Sequence, residues 1–377
     1  MPKKYRLLLN FVYCRPVGHV VEGMRYAHGF HKANRNLEIS IALNSKSATE
    51  LTKGVGWIKN TYLVDTDEIL KYGTGAPCLR KIPKEWDYVV TENRADLESL
   101  GEKKLWNDQI SLIAYSKYAR NIFHAKKGHG VLFWKRRLPR TSLKYKAGTQ
   151  FFLDIPKDAL KFAEKYAYKG KKICVMLGGS ADPSHYPSIK SWERIIRALN
   201  KEFPDLRIYL TGVFKSSKGR TNTQAYSKKQ VGGLAKKFDN VVNAYDIGLW
   251  NQLALVKSCD IFLSPHTGFG WIVPCVGTPW LALSGGDWYE NSSIFNRLPF
   301  YCVLPDDKDY PYEGKKRIGK RAKMGGMKDK DIQKKIPEIV KGARLLFSKD
   351  FTYEKAFQTY IQNLKGANVK KEFKKRM

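Results

Sequence analysis

Two short glycine-containing turns carry the residue types best suited to holding a phosphorylated ligand. One is Gly178-Gly179-Ser180, followed by Ser184 and Lys190; the other is His266-Thr267-Gly268-Phe269-Gly270. Glycine lets the backbone approach an anion closely, so that several N–H groups converge on it, and a lysine adds a compact positive charge. Taken alone, Gly-Gly-Ser also reads as a plain turn, but two such turns at neighbouring strand ends suit a diphosphate. A protonated His266 would assist there. The segment Arg15-Pro16-Val17-Gly18-His19-Val20-Val21-Glu22 offers a different chemistry. Gly18 frees the backbone to turn, and the His19 imidazole is suited to removing a proton near neutral pH. The competing reading is a histidine that only completes a helix start.

Metal chemistry has weaker support. His28 and His31 share a helix face at i, i+3, with no carboxylate or cysteine clearly beside them. Asp65-Thr66-Asp67 has the spacing of an Asp-x-Asp metal motif and reads as a surface turn. No metal and no cofactor is expected.

The elements that must position these residues follow from pattern. Asp260 to Ser264 reads as a buried strand, Ile272 to Val276 as the start of a helix, and Trp280 to Leu283 as another strand. A helix at 271–276 would aim its unpaired N–H groups and positive dipole end at the His266–Gly270 turn. The turn then becomes a phosphate cradle at the carboxyl end of a parallel strand. The rest of the second half alternates in the same way: strand 172–177, helix 191–202, strand 207–211, helix 228–237, strand 240–242 and helix 249–257. In the first half, strands are expected at Arg6–Tyr13, Glu38–Leu43, Tyr62–Val64 and Tyr88–Val90, with a helix at Val20–Lys32. Pro156–Tyr168 is helical, Gly128–Gly148 fits a long loop or irregular edge, and Phe357, Tyr360, Ile361 and Leu364 mark one face of a closing helix. This rhythm predicts an α/β chain with parallel sheets and crossover helices. The expected divisions are 1–155, 156–350 and a terminal helix with basic tail, 351–377, with a cleft between the first two.

A length of 377 residues exceeds the usual single domain, and 43% hydrophobic with 13% aromatic residues is globular rather than disordered. No apolar run approaches the roughly 20 residues that span a bilayer. Leu7 to Tyr13 reads as a first strand rather than a signal peptide. The six cysteines are scattered without metal or redox spacing, which fits reduced core residues of a cytoplasmic protein. The net charge of +33 favours anionic partners: nucleotides, phosphorylated substrates, nucleic acid or an acidic membrane surface. Basic residues concentrate in Lys117–Lys146, interleaved with Tyr118, Phe123, Phe133, Trp134 and Tyr145. Further runs are Lys315–Arg321 and the tail Lys374-Lys375-Arg376. A solvated face or frayed tail is the bland reading of each.

The order Leu177-Gly178-Gly179-Ser180, Lys190-Ser191-Trp192, Gly248, Leu253-Ala254-Leu255-Val256, Cys259-Asp260-Ile261-Phe262, His266-Thr267-Gly268 and Val276-Gly277-Thr278-Pro279-Trp280-Leu281-Ala282-Leu283 resembles glycosyltransferase family 9. This is the heptosyltransferase-like group typified by ADP-heptose:LPS transferases. The likeness is good over residues 172–300 and thinner over 1–150. It implies a GT-B fold of two Rossmann-like domains facing a cleft. It also implies metal-independent, inverting transfer of a sugar from a nucleoside-diphosphate donor held by the second domain. By that resemblance Gly178, Gly179, Ser180, Ser184, Lys190, Gly248, His266, Thr267, Gly268, Phe269 and Gly270 hold the donor. The family usually has Asp-Ser-Gly where this chain has His266-Thr267-Gly268, and Gly-Asp where it has Gly18-His19. The family's aspartate is the base, so His19 would replace it, and the donor sugar stays open.

Under this reading the acceptor is an anionic or lipid-linked glycan, such as LPS or a surface polysaccharide. Arg15, Lys117, Arg120, Arg136 and Arg137 would draw it in, with peripheral contact at the inner face of an anionic membrane. Two rivals stand beside it. One is a single-stranded nucleic-acid-binding protein using the aromatic and basic stretch, although no recognisable nucleic-acid motif accompanies that stretch. The other is a nucleotide-sugar epimerase on the same fold.

Overall fold

A computed structural model describes residues 4–12, 17–93, 115–124, 143–146, 149–180, 183, 186–215, 222–223, 225–283, 297–305 and 327–364. The chain divides into two compact units, Met1–Leu153 and Asp154–Ser216 with Asn222–Met377.

In the first unit, strands β1 (Tyr5–Phe11), β2 (Leu37–Asn44), β3 (Ile58–Val64), β4 (Glu85–Asn93) and β5 (Tyr115–His124) form one parallel sheet in the order β3-β2-β1-β4-β5. Leu7, Leu8 and Leu9 are wholly buried, as expected of a central strand covered on both faces. Helix α1 (Val17–Ala33) connects β1 to β2 and is buried almost all round. Gly23 lets it approach β1, since a Cβ there would fall 3.0 Å from the Phe11 ring. At its far end, Tyr145 lies over Gly29, where a Cβ would come within 2.4 Å of the ring. The Lys146 N–H donates to the Gly29 carbonyl at 3.1 Å, and the Asn34 amide bonds the Lys144 backbone in both directions at 2.8 and 3.1 Å. Residues 143–146 are therefore pinned along α1. Tyr145, counted above in an aromatic and basic face, is a packing residue.

Asp65 and Asp67 belong to the start of helix α2 (Thr66–Tyr72). The Asp65 carboxylate caps it by accepting from the Asp67 and Glu68 N–H groups, and Asp67 pairs with Lys46. His28 is buried beside Trp57 and Phe151, and its Nδ1 lies 2.8 Å from the Thr149 hydroxyl. Burial, with Lys32 and His31 nearby, lowers its pKa to about 4.

The second unit is a six-stranded parallel sheet of β6 (Lys171–Val175), β7 (Leu206–Gly212), β8 (Val241–Tyr245), β9 (Ile261–Pro265), β10 (Trp280–Leu283) and β11 (Phe300–Val303). Its order is β11-β10-β9-β6-β7-β8. Helices α3 (Lys157–Ala163), α4 (Ile189–Glu202), α5 (Lys228–Lys236), α6 (Leu249–Lys257), α7 (Asp329–Phe347) and α8 (Tyr353–Asn363) accompany it. Helix α4 buries Trp192, Ile195, Ile196 and Leu199, one stripe at helical spacing. Helix α8 docks on β11, the Tyr360 and Phe300 rings lying 6.0 Å apart. Among the described residues no helix is long and apolar enough to cross a membrane.

Each sheet has one point where the winding reverses. In the first it falls between β1 and β4. In the second it falls between β6 and β9, because β7 and β8 extend one way and β10 and β11 the other. The crevice outside the carboxyl ends of strands at such a point is the general ligand position of open α/β sheets.

The expected helix at 271–276 is not an α-helix. Two 3₁₀ turns, Phe269–Trp271 and Val273–Val276, stand there instead. Pro274 has no N–H to continue an α-helical ladder, Cys275 N–H donates three residues back to the Ile272 carbonyl at 2.7 Å, and Gly277 stops the turn at φ 91°. The large dipole expected behind the His266–Gly270 turn is therefore missing.

Candidate active site

Strand β6 runs into Met176-Leu177-Gly178-Gly179-Ser180. Buried side chains hold this exit in place: the Leu177 carbonyl accepts from the Trp192 indole at 3.0 Å and from the Tyr226 hydroxyl at 3.3 Å. The single Tyr226 O–H is shared with the Pro187 carbonyl, and burial pushes its pKa well up, keeping it a neutral donor. The strand exit is thus fixed before any ligand arrives.

Space is tight at both glycines. A Cβ on Gly178 would fall 2.8 Å from that of Ala225, and one on Gly179 would fall 2.8 Å from the Tyr186 hydroxyl. The Gly179 Cβ would also lie 3.5 Å from Cγ2 of Thr267. The turn after β6 and the turn after β9 therefore lie side by side, about a methyl group apart. Their strands pair in parallel, with Val175 opposite Leu263, and the Met176 N–H donates to the Leu263 carbonyl at 3.0 Å. The glycine turns occupy the reversal point of the second sheet.

Within the second turn the residues divide by job. The Gly270 N–H donates to both the Thr267 carbonyl and its hydroxyl oxygen, each at 3.1 Å. A Cβ on Gly270 would strike the Trp280 ring at 2.5 Å, and the Trp280 indole donates to the Ser264 hydroxyl at 3.1 Å. Phe269 is buried against the Phe262 ring. Gly270 and Phe269, expected to face a donor, are thus explained by packing and turn formation. Among the described residues, the N–H groups of Gly268, Phe269, Gly178, Gly179 and Ser180 make no hydrogen bond. Gly178 is buried, and an N–H in such a place normally finds a water or a ligand. Thr267 is buried and His266 half-buried. With only 3₁₀ turns behind it, the turn presents individual amides and no α-helix dipole.

Lys190 stands at the second position of α4, exposed, next to the Ser188 cap. Asp329, at the start of α7, accepts from the Ser188 hydroxyl at 2.5 Å and the Ser191 hydroxyl at 2.6 Å. These bonds, with smaller help from Arg194 and Lys190, hold the Asp329 carboxyl below the usual carboxylate range. The lysine's charge is thereby partly opposed. Gly248 ends the β8 loop at φ 85° and starts α6, a conformation that explains its identity by itself.

In the first unit, His19 is the third residue of α1, just past the end of β1. Its Nδ1 lies 2.9 Å from Oε2 of Glu22, an i, i+3 pair on the helix surface. The imidazole is about one-third exposed (32%), whereas the carboxylate is almost fully covered (4%). With Nδ1–H donated to the carboxylate, Nε2 keeps its lone pair for a proton.

No family model matches the chain, and no curated protein sequence matches it. Solved structures do. A glycosyltransferase of family 9 from Veillonella parvula gives a TM-score of 0.62 at 11% identity, covering 91% of this chain and 97% of its own. The ADP-heptose LPS heptosyltransferase II of E. coli gives 0.56 at 11% identity, covering 90% and 99%. The E. coli heptosyltransferase WaaC with ADP gives 0.55 at 12% identity, again covering 90% and 99%. The chain has the GT-B fold.

The GT-B frame brings Gly178, Gly179 and Ser180 to Thr267 and its neighbours, and leaves Gly248 at the end of β8, two strands from β6. Ser184, Arg15, Arg136 and Arg137 lie outside the described residues. Lys117 and Arg120 are on β5, a strand that the charge pattern of 117–146 concealed. Among the described residues, no three His, Cys, Asp or Glu side chains gather into a metal site. Glu22 received no role from sequence, although its spacing from His19 was the available signal. Asp329, more than a hundred residues from Ser188, gave none.

Proposed function

We propose that the chain is a glycosyltransferase that moves a sugar from a nucleoside-diphosphate donor to a hydroxyl of an anionic or lipid-linked glycan. The observation that carries this reading is that two glycine turns, at Gly179 and at Thr267, lie side by side at the reversal point of a GT-B sheet. The N–H groups of Gly178, Gly179, Ser180 and Gly268 take the diphosphate, with Lys190 as a weaker, exposed contributor. As the anomeric bond breaks, these donors stabilise the charge growing on the leaving nucleoside diphosphate. The same job falls to a divalent cation in other transferases, so activity is expected to survive chelation. His19 takes the proton from the acceptor hydroxyl as it attacks. Inversion at the anomeric carbon follows the family resemblance.

The acceptor assignment rests on charge. A net charge of +33 concentrates anions near the surface, and each basic group close to an anionic leaflet adds about 1 kcal/mol. Peripheral attachment to the inner face of a membrane follows from that reading. Flotation with anionic vesicles at low and high salt checks it: salt-sensitive binding is expected, and no binding removes it. The nucleic-acid reading loses Tyr145, which is packed on Gly29.

A thermal-shift screen against nucleoside diphosphates and their sugars tests the function. A donor bound at a hundred times its Kd adds about 2.7 kcal/mol of stability. The reading fails if no nucleotide raises Tm while single-stranded oligonucleotides do so with steep salt dependence. Product analysis without acceptor separates transfer from epimerisation.

A further inference from the structure

We infer that Glu22 is a positioning residue that fixes the tautomer and orientation of His19 and holds the imidazolium when a proton arrives. The proposal rests on the reading of His19 as the base. Glu22 is 3% exposed in a helix buried almost all round, on the face that also carries Gly18, His19, Arg25 and Tyr26. Leaving a carboxylate in such surroundings costs several kcal/mol unless partners repay it, and replacement by an apolar side chain of similar volume is often neutral. Packing alone gives no reason for it. The partly exposed His19 imidazole, with Nδ1 2.9 Å from Oε2, is one partner that offsets this cost.

The geometry sets the proton's path. Nδ1 carries the hydrogen given to Oε2 of Glu22 at 2.9 Å, so the lone pair sits on Nε2, on the opposite side of the ring. In the transfer step the acceptor O–H proton moves to Nε2, and the acceptor oxygen bonds to the anomeric carbon. The bond from that carbon to the diphosphate oxygen breaks, its electron pair leaving with the nucleoside diphosphate. Glu22 remains ionised throughout and ends facing a cationic ring. A carboxylate in this position raises the basicity of the imidazole and removes its freedom to flip, the same logic by which a buried carboxylate orients a catalytic histidine elsewhere. Arg25 is the other buried charge of α1, His28 is kept neutral by burial, and Lys32 and His31 stand in the last turn; all stay unchanged in any test.

The test uses the full chain carrying Glu22→Gln, Glu22→Asp or His19→Ala. First, the His19 imidazole is titrated by NMR without substrates. Glu22→Gln should move its midpoint to lower pH, because the anion that favours the charged ring is gone. Second, steady-state and donor-binding measurements are compared. Glu22→Gln should lower kcat about 10- to 100-fold with donor Kd unchanged, and shift the acidic limb of the kcat profile to lower pH. Glu22→Asp should recover part of the loss. An unmoved His19 midpoint in Glu22→Gln, with Tm the only property altered, would overturn the proposal. So would a fully active His19→Ala, which removes the base while leaving the diphosphate site and the transferase reading intact. Because the titration needs no turnover, failure to find any glycosyl transfer would strike the functional reading and leave the coupling of the pair still measured.

Discussion

The two units make their candidate chemistry in different ways. In the second unit the machinery is backbone: glycine turns after β6 and β9, packed so tightly that added Cβ atoms would fall 2.8 Å from Ala225 at Gly178 and from Tyr186 at Gly179. In the first unit it is a pair of side chains on one helix turn, His19 and Glu22, 2.9 Å apart. A backbone site is specified by what must be absent: a side chain at Gly178 would meet the Ala225 methyl, and one at Gly179 would have to displace the Tyr186 hydroxyl. A side-chain site is specified by what must be present, and other pairs of residues could fill the same helix positions. The first kind leaves a durable sequence trace in the glycines. The second permits substitution, which is consistent with histidine standing where the resembled family has aspartate.

Four substitutions sharpen or break this contrast. His19→Ala should have the largest effect, a kcat loss of roughly 100- to 10,000-fold, with donor affinity unchanged in a calorimetric titration. Unchanged turnover would remove His19 from the chemistry. Gly179→Val should weaken nucleoside-diphosphate binding about tenfold or more, since its methyls enter the space beside Thr267 and Tyr186. Equal Kd values for variant and parent would contradict the cradle. Gly270→Ala should act on folding alone, lowering stability by about 1–3 kcal/mol through its clash with the Trp280 ring. Calorimetric unfolding reads that loss, and a donor Kd that changed more than Tm would show that Gly270 touches the ligand. Lys190→Ala should be mildest, about 1 kcal/mol of donor affinity, because the side chain is exposed and Asp329 stands nearby. A hundredfold loss would mean that Lys190 closes on the diphosphate directly.

Much of the fold was legible because parallel strands are apolar runs bounded by turns. Helix α6 at 249–257 and strand β10 at 280–283 follow the sequence reading residue for residue. Strand β5 escaped it because Lys117 and Arg120, between its aromatics, masked the strand pattern. Helix α7 escaped it because Pro337 interrupts an otherwise helical run; the helix is held from outside, with Gly342 letting Tyr301 and Leu281 come close. The 271–276 segment misled in the opposite direction. Its apolar residues suit a helix, but Pro274 and Gly277 limit it to 3₁₀ turns. Of the candidate site, Gly178, Gly179 and Thr267 stood out as small residues after a buried run, a pattern that also fits a plain turn. Gly248 and Gly270 were drawn in with them, although a positive φ and a tryptophan ring account for each. Asp329 could not be found from sequence, since its link to Ser188 spans 141 positions.

The central claim is that backbone amides of two adjacent turns hold a diphosphate. Amide chemical shifts of the protein in a chelating buffer, followed as a nucleoside diphosphate is added, test it most directly. The account predicts that the largest saturable shifts fall on Gly178, Gly179, Ser180 and Gly268, with Gly270 moving less because its N–H is already bonded to Thr267. Saturable shifts confined to other residues, with these four amides unmoved, would contradict it.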